Sequence, residues 1–276
     1  MEVQTVYEVK NMLTSLQELY VNRMQKVRNS IVLSREYYEG LFAILTEVMH
    51  EKEMRFKASH QQDGAEQKQL VIVLSGSRKF AGAVNNEVFN AFREYIKSNI
   101  CDVIVVGKIG HDLMSQHNIS HPFTYYDWNE EIHKDEVIST IAHTLTQYPV
   151  VKLFCAQYLN LISQKAHEVD IYEGLEQSAS HRKIEKNMYI YEPDKTRVTN
   201  FFETRVLEAY LYHTFQELYL ALMGSRVFRV EESSTNANRL IKVLEHLEVA
   251  SRKKKKNKDQ LANVSRIMNI KRSYAV

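Results

Sequence analysis

The chain has 276 residues, a formal charge of +2, and 44% hydrophobic against 25% charged residues, the balance of a folded protein. Near-neutrality excludes a global field for nucleic acid, and the lack of any run of about 18 apolar residues excludes a transmembrane helix. The opening MEVQTVYEVK carries two Glu and no apolar core, so a secretory signal is not expected.

The helix-interrupting residues fall in the middle. The three prolines are Pro122, Pro149 and Pro193, and only Gly40, Gly64 and Gly224 lie outside residues 75–175. Two helical arms bracketing a central domain are the expected layout. The first arm covers 1–58. Its seam runs Leu13, Leu16, Tyr20, Met24, Val27, Ile31, Ser34, Tyr38, Leu41, Leu45 and Val48, with steps of three and four after Tyr20. A helix of about 55 residues would span roughly 80 Å. Residues 59–69 are polar, contain Gly64 and read as a linker.

The central domain covers 70–195. Leu70–Leu74 is a continuous apolar run, as in a strand buried on both faces of a parallel sheet. A loop follows from Ser75 to Gly82, where Gly76 and Gly82 supply permissive backbone angles. Ala83–Ser98 reads as a helix with Val84, Val88, Phe89, Phe92 and Ile96 on one side. Val103–Val106 is a second buried strand, Asp135–Gln147 a helix and Val150–Cys155 another strand. Cys101 and Cys155 sit in apolar, strand-like contexts and read as buried reduced thiols.

The last arm covers 196–276, with Asp194 or Thr196 as its cap. Phe201, Leu207, Leu211, Phe215, Leu218 and Leu222 form one apolar face, and Ala237, Leu240, Leu244 and Leu247 continue it. Gly224 is the compositional weak point of this arm. Two long amphipathic helices separated by a domain pair most simply as antiparallel partners, each burying the other's stripe.

No catalytic, cofactor or metal constellation stands out. The loop SGSRKFAGAVN after the first strand has neither GxGxxG nor GxxxxGK[ST], and Gly107-Lys108 stand where a ribose-binding acid would follow Val106. His111, His117 and His121 cluster, and His117 and His121 have the i, i+4 spacing of helix-borne metal ligands. Pro122 and the lack of a nearby Cys favour ordinary solvent-facing or hydrogen-bonded histidines. The run Arg252-Lys253-Lys254-Lys255-Lys256-Asn257-Lys258 puts charge on every face of a helix, so it is not a buried seam. It reads either as a solvated segment or as a cationic collar for an acidic partner. A coiled-coil scaffold that binds nucleic acid through 252–258 is the competing reading, weakened by the absence of interleaved aromatics.

Five segments in order carry a resemblance. Ser75-Gly76-Ser77-Arg78-Lys79-Phe80-Ala81-Gly82-Ala83-Val84-Asn85 is similar to a family motif S-T-D-R-G-L-C-G-G-L-N. Gln157-Tyr158-Leu159-Asn160-Leu161-Ile162-Ser163-Gln164 keeps the Asn, Ser and Gln of K-F-I-N-T-M-S-Q. Tyr189-Ile190-Tyr191-Glu192-Pro193-Asp194 is a YxYEP element. Ser34-Arg35-Glu36-Tyr37 is similar to S-R-P-Y, and Asn257–Ser265 to N-K-x-R-Q-A-x-I-T. The chain thus resembles the gamma subunit of the F-type rotary ATP synthase over nearly its whole length.

The resemblance implies an α/β-class chain, with a long antiparallel coiled coil of N- and C-terminal helices plus a central Rossmann-like α/β domain and a mainly parallel sheet. It also implies a non-catalytic rotor shaft coupling ion flow to ATP synthesis or hydrolysis. The implied partners are the alpha and beta subunits, the epsilon subunit and the membrane c-type rotor ring. No cofactor, small-molecule ligand or nucleic acid is implied, and the location is peripheral, at the cytoplasmic face of the cell membrane. Expected subunit contacts are Arg23, Met24, Arg78, Gly82, Asn85, Gln260, Leu261, Val264 and Ser265.

The chain also departs from the pattern. Met12–Leu19 lacks the Lys of I-T-K-A-M-x-M-V, the family's R-Q pair becomes Gln260-Leu261, and a family Glu becomes Ile267. Several extra residues fall in or just before the lysine run. Charge-assisted bonds that an Arg and a Glu make at those positions are therefore lost. These departures suit a divergent or second complex of this kind, coupled to protons or to sodium.

Overall fold

A computed structural model describes residues 2–48, 69–130, 135–179, 192 and 194–273. Residues 59–68 of the expected linker and nearly all of the YxYEP element lie outside the described residues, as does the end of the first arm after residue 48, while Gln69 already belongs to the first strand. The chain divides into two compact units, Met1–Glu18 with Val230–Val276, and Leu19–Arg229.

The arms are helical: α1 spans Glu2–Val48 and α6 spans Lys195–Ser273. Asp194 is the cap of α6, since its Oδ1 accepts the Arg197 amide at 2.9 Å. In the smaller unit, Tyr7 donates to Glu245 at 2.9 Å and Gln17 to Glu231 at 2.8 Å, which fixes an antiparallel sense. In the larger unit, Arg35 meets Glu217 and Tyr38 packs on Tyr210, with the same sense.

The larger unit holds a five-stranded sheet ordered β3-β2-β1-β4-β5. Its strands are β1 (Gln69–Leu74), β2 (Asp102–Val106), β3 (Phe123–Tyr126), β4 (Val150–Tyr158) and β5 (Gln164–Asp170). The first four are mutually parallel, and β5 runs antiparallel to β4. Leu70–Leu74 and Val103–Val106 are buried, as their unbroken apolar runs require. Helices α2 (Val84–Ser98), α3 (Lys108–Gln116), α4 (Asp135–Leu145) and α5 (Ile171–Ala179) complete the unit. On α2, Val84, Val88, Phe89 and Phe92 are buried, and each such side chain contributes about 1.5–3 kcal/mol.

Four elements were not expected. β3 has four residues and β5 is a polar edge strand, so neither carries an apolar run. α3 begins directly after Gly107, and α5 is capped by Asp170, whose Oδ1 accepts the Tyr172 amide. The Gln157–Gln164 motif is the β4–β5 hairpin. Asn160 Oδ1 accepts the amides of Ile162 and Ser163 at 2.9 and 2.8 Å, and Gln164 Nε2 donates to the Asn160 carbonyl.

The seam of α1 is as expected, with Met24, Val27, Ile31, Ser34, Tyr38, Leu45 and Val48 buried. The face assigned to α6 needs correction. Phe201, Leu240 and Leu247 are exposed, at 56, 47 and 61%. The buried positions beyond residue 229 are Val230, Ala237 and Ile241, one residue out of step with Leu240. From Val206 to Val227 the helix is largely buried all round, with Val206, Leu211, Phe215, Leu218, Ala221 and Met223 fully enclosed. Gly224 is no weak point. A Cβ there would sit 2.9 Å from the Tyr158 ring, so the glycine permits a close approach of α6 to β4.

Candidate functional site

The loop following β1 lies at the carboxyl ends of the parallel strands, where open α/β sheets usually bind ligands. Ser75 closes the sheet end: its amide donates to Val106 O at 2.9 Å and its hydroxyl to the same oxygen at 2.8 Å, while Gly110 N donates to Ser75 Oγ. Gly107, at φ +92°, lets β2 turn sharply against Ser75. Gly82, at φ +62°, likewise ends the loop. Gly76 does not adopt a positive φ, contrary to expectation. It is glycine because a Cβ would lie 3.0 Å from Glu130 Oε1 and 3.2 Å from Leu222.

The loop amides are already occupied. Glu130 Oε1 accepts from Ser77 N at 2.7 Å and from Arg78 N at 3.0 Å, so a carboxylate from the chain itself sits where a phosphate sits in a nucleotide-binding loop. Arg226 on α6 holds that carboxylate from the other side. Its Nη1 lies 2.5 Å from Oε2 and its Nη2 2.9 Å from Oε1, a bidentate pair with both side chains only 1% exposed. Arg226 also donates to Arg78 O at 3.0 Å and to Lys79 O at 3.4 Å. Ser225 donates to Ala81 O at 2.6 Å, Ser77 to Trp128 O, and Asn85 Oδ1 accepts Gly76 N at 3.1 Å. The loop is thereby sealed by α6 and by the segment after β3. Burying a pair costs desolvation, and this one is compensated because both charges are matched and the remaining lone pairs are used.

A second cluster joins α1 to α6. Ser34 Oγ lies 3.0 Å from His213 Nδ1, His213 Nε2 lies 3.3 Å from Glu217 Oε1, and Arg35 Nη2 lies 3.1 Å from the same oxygen. The order Ser–His–Glu has the connectivity of a hydrolase triad, and sequence reasoning missed it because 179 residues separate Ser34 from His213. The setting is that of a strut. Ser34 sits inside α1, where backbone amides are consumed by helix bonds and cannot form an oxyanion hole, and its hydroxyl is also 3.0 Å from Ile31 O. Burial pushes the Glu217 carboxyl up, but the His213 hydrogen bond and the attraction of His213 and Arg35 outweigh it and hold the group below its ordinary value.

The expected contact residues fall into separate places. Met24 is 7% and Asn85 6% exposed, Arg23 is half-buried, and Arg78 and Gly82 are exposed. In the other unit, Gln260, Leu261, Val264 and Ser265 are all exposed, within a stretch of α6 exposed from Glu245 to Ile267. The lysine run lies in this stretch, consistent with a segment that is not a seam. His111 packs with its ring tilted against Tyr125 at 4.7 Å, His117 stacks at 5.4 Å on Phe89, and His121 Nδ1 is 2.9 Å from Pro122 O. Among the described residues no group of three His, Cys, Asp or Glu is placed to hold a metal, and no helix is long and apolar enough to cross a membrane.

These features define a helix–α/β–helix protein whose ligand crevice is filled by its own ion pair and whose polar clusters lock helices in place. The family model described as ATP synthase matches residues 2–258, and the chain belongs to that family. It is similar to the ATP synthase gamma chain of Acetivibrio thermocellus, 22% identical with 94% of this chain and 93% of the relative covered. It is also similar to that of Amoebophilus asiaticus, 21% identical with 88 and 87% covered. Its fold matches a chain of the central stalk and c-ring of Tetrahymena thermophila mitochondrial ATP synthase, with a TM-score of 0.61, 14% identity, and 81 and 99% of the two chains covered. A chain of the Euglena gracilis mitochondrial ATP synthase matches with a TM-score of 0.56 and 16% identity, covering 98% of this chain and 97% of that one.

Proposed function

We infer that this chain is the gamma subunit of a rotary ATP synthase, the central rotor shaft that couples ion flow to ATP synthesis or hydrolysis. The observation that carries the reading is the antiparallel pairing of the two terminal helices, together with a phosphate-type loop occupied by Glu130. A chain so built transmits force and leaves nucleotide chemistry to its partners, so its role in the complex is non-catalytic. The family membership over residues 2–258 supports the same conclusion.

The partners follow from the reading. The exposed end of α6, with Gln260, Leu261, Val264 and Ser265, turns inside a ring of alpha and beta subunits. The α/β layer, including the loop at Arg78 and Gly82, faces the epsilon subunit and the membrane rotor ring, at the cytoplasmic face of the cell membrane. Leu261, Val264 and Ile267 are 71, 49 and 56% exposed, an apolar stripe that a lone helix leaves wet and a partner covers. The 1–58, 59–69, 70–195 and 196–276 division then assigns arm, linker, rotor-facing domain and arm.

Affinity purification of the tagged chain from cells expressing it tests the reading. Alpha and beta subunits should be recovered in threefold excess over this chain, in line with a single off-centre shaft in a three-site ring. Recovery of the chain alone, under conditions that keep such complexes intact, overturns the assignment.

A further inference from the structure

We propose that the Glu130–Arg226 pair is a torsional joint, which fixes the rotational register of α6 against the sheet so that twist in the helix reaches the α/β layer. The proposal rests on the shaft reading and deepens it. Glu130 and Arg226 are positioning residues for coupling.

Three observations carry it. First, the apolar side chains of α6 between Val206 and Met223 belong to the same core cluster as those of the sheet strands. Apolar burial is non-directional, so it resists separation more than rotation. Charge-assisted bidentate bonds have fixed directions and do resist rotation. Second, the pair ties together three segments that are distant in sequence. Arg226 comes from α6, Glu130 from the stretch after β3, and the amides of Ser77 and Arg78 and the carbonyls of Arg78 and Lys79 from the loop after β1. Rotating α6 would strand two charges that are each 1% exposed, and the cost of unpaired buried charge sets the stiffness. Third, the pair lies where the all-round enclosure of α6 ends: Arg226 is enclosed, whereas Phe228 and Arg229 are exposed and burial beyond them is confined to single positions such as Val230. Ser225 on Ala81 O adds a second bond at the same level.

The test uses the assembled complex in vesicles, with ATP hydrolysis and ATP-driven ion uptake measured on one preparation by a pH dye and by radiosodium. Glu130→Gln keeps the acceptor for the loop amides but removes the charge. Arg226→Lys keeps the charge but removes the fork. Each should leave hydrolysis within about twofold while ions moved per ATP fall about threefold or more. A pair that only stabilises the fold would change melting temperature and yield with ions per ATP unaltered, and that result overturns the joint. A second arm leaves the pair intact. Gly82→Cys with Ser225→Cys bridges loop and helix where a Cβ at residue 82 would lie 2.9 Å from Ser225 Oγ. Oxidation should leave ions per ATP unchanged in the otherwise unaltered chain and restore them in Glu130→Gln. A fall in the unaltered chain would mean that the loop and α6 must move apart during turnover, which also overturns the joint. Failure of the unmodified chain to assemble with alpha and beta subunits overturns the shaft reading itself, and the joint with it.

Discussion

Ser34 on α1 and His213 on α6 meet through a buried contact of 3.0 Å, and His213 passes the link to Glu217. The ring is further enclosed by Tyr38, 5.0 Å away, which packs edge-on against Tyr210. Arg35 faces Glu217 from α1, and the Cys155 thiol from β4 lies near enough to feel its charge. This cluster is a polar connection between the arms in the larger unit, and its acidic member is tuned. Glu217 is held below its ordinary 4.5, so its stabilising contribution is complete above that value and is lost as pH falls through the lowered folded value. Urea midpoints of the wild type and Glu217→Gln should differ at neutral pH and converge well below 4.5. The side chain is 35% exposed, so the difference at neutral pH should be no more than about 1 kcal/mol. Parallel curves down to the acid limit would remove Glu217 from this role.

Gly107 and Gly40 should respond in opposite directions to alanine. A Cβ at Gly107 would drive into the Ser75 carbonyl oxygen, and φ is +92°, so Gly107→Ala should cost at least about 3 kcal/mol or prevent folding. Nothing lies within 4 Å of a Cβ at Gly40, inside α1, so Gly40→Ala should stabilise by up to about 1 kcal/mol. Thermal unfolding of the two variants gives both signs.

The two thiols should be inert in the folded protein. Burial pushes the Cys155 thiol up to about 12, with the charge of Glu217 adding to it, and burial likewise raises Cys101. Iodoacetamide at mildly alkaline pH should label neither until denaturant is added. Rapid labelling of Cys155 in the native protein would contradict its enclosure.

Ile241 and Leu247 separate the true seam of the smaller unit from the expected one. Ile241 is 5% exposed and Leu247 61%. Ile241→Asp should destabilise by more than about 2 kcal/mol, because it buries a charge without a partner. Leu247→Asp should stay within about 0.5 kcal/mol. Equal melting curves by circular dichroism would place the seam elsewhere.

Much of the fold was legible where hydrophobic period and helix breakers act locally. The seam from Met24 to Val48, the apolar runs Leu70–Leu74 and Val103–Val106 of β1 and β2, and α2 all follow from residue spacing. Elements that owe their state to neighbours were not legible. β5, Gln-Lys-Ala-His-Glu-Val-Asp, forms because β4 offers it a ladder. The α6 face drifted by one residue between Leu240 and Ile241 because both are apolar and only the partner helix decides which one faces inward. At the candidate site, the motif Ser75–Asn85 contains the loop after β1. Its meaning was hidden because Glu130 and Arg226 lie 52 and 148 residues from Arg78.

The sequence by itself determined that there are two proline-free arms, a parallel core between them, and a loop that lacks the glycine-rich phosphate-binding motifs. These are local consequences of residue type and period. Only the tertiary structure decided what that loop holds instead, and how the arms are bound together. Glu130 fills the crevice, Arg226 locks it, and Ser34 reaches Glu217 through His213. Such pairings exist only once the packed core has removed water. Burial turns a charge from a solvated surface group into one that must be matched, and the match is set by three-dimensional neighbours rather than by spacing along the chain.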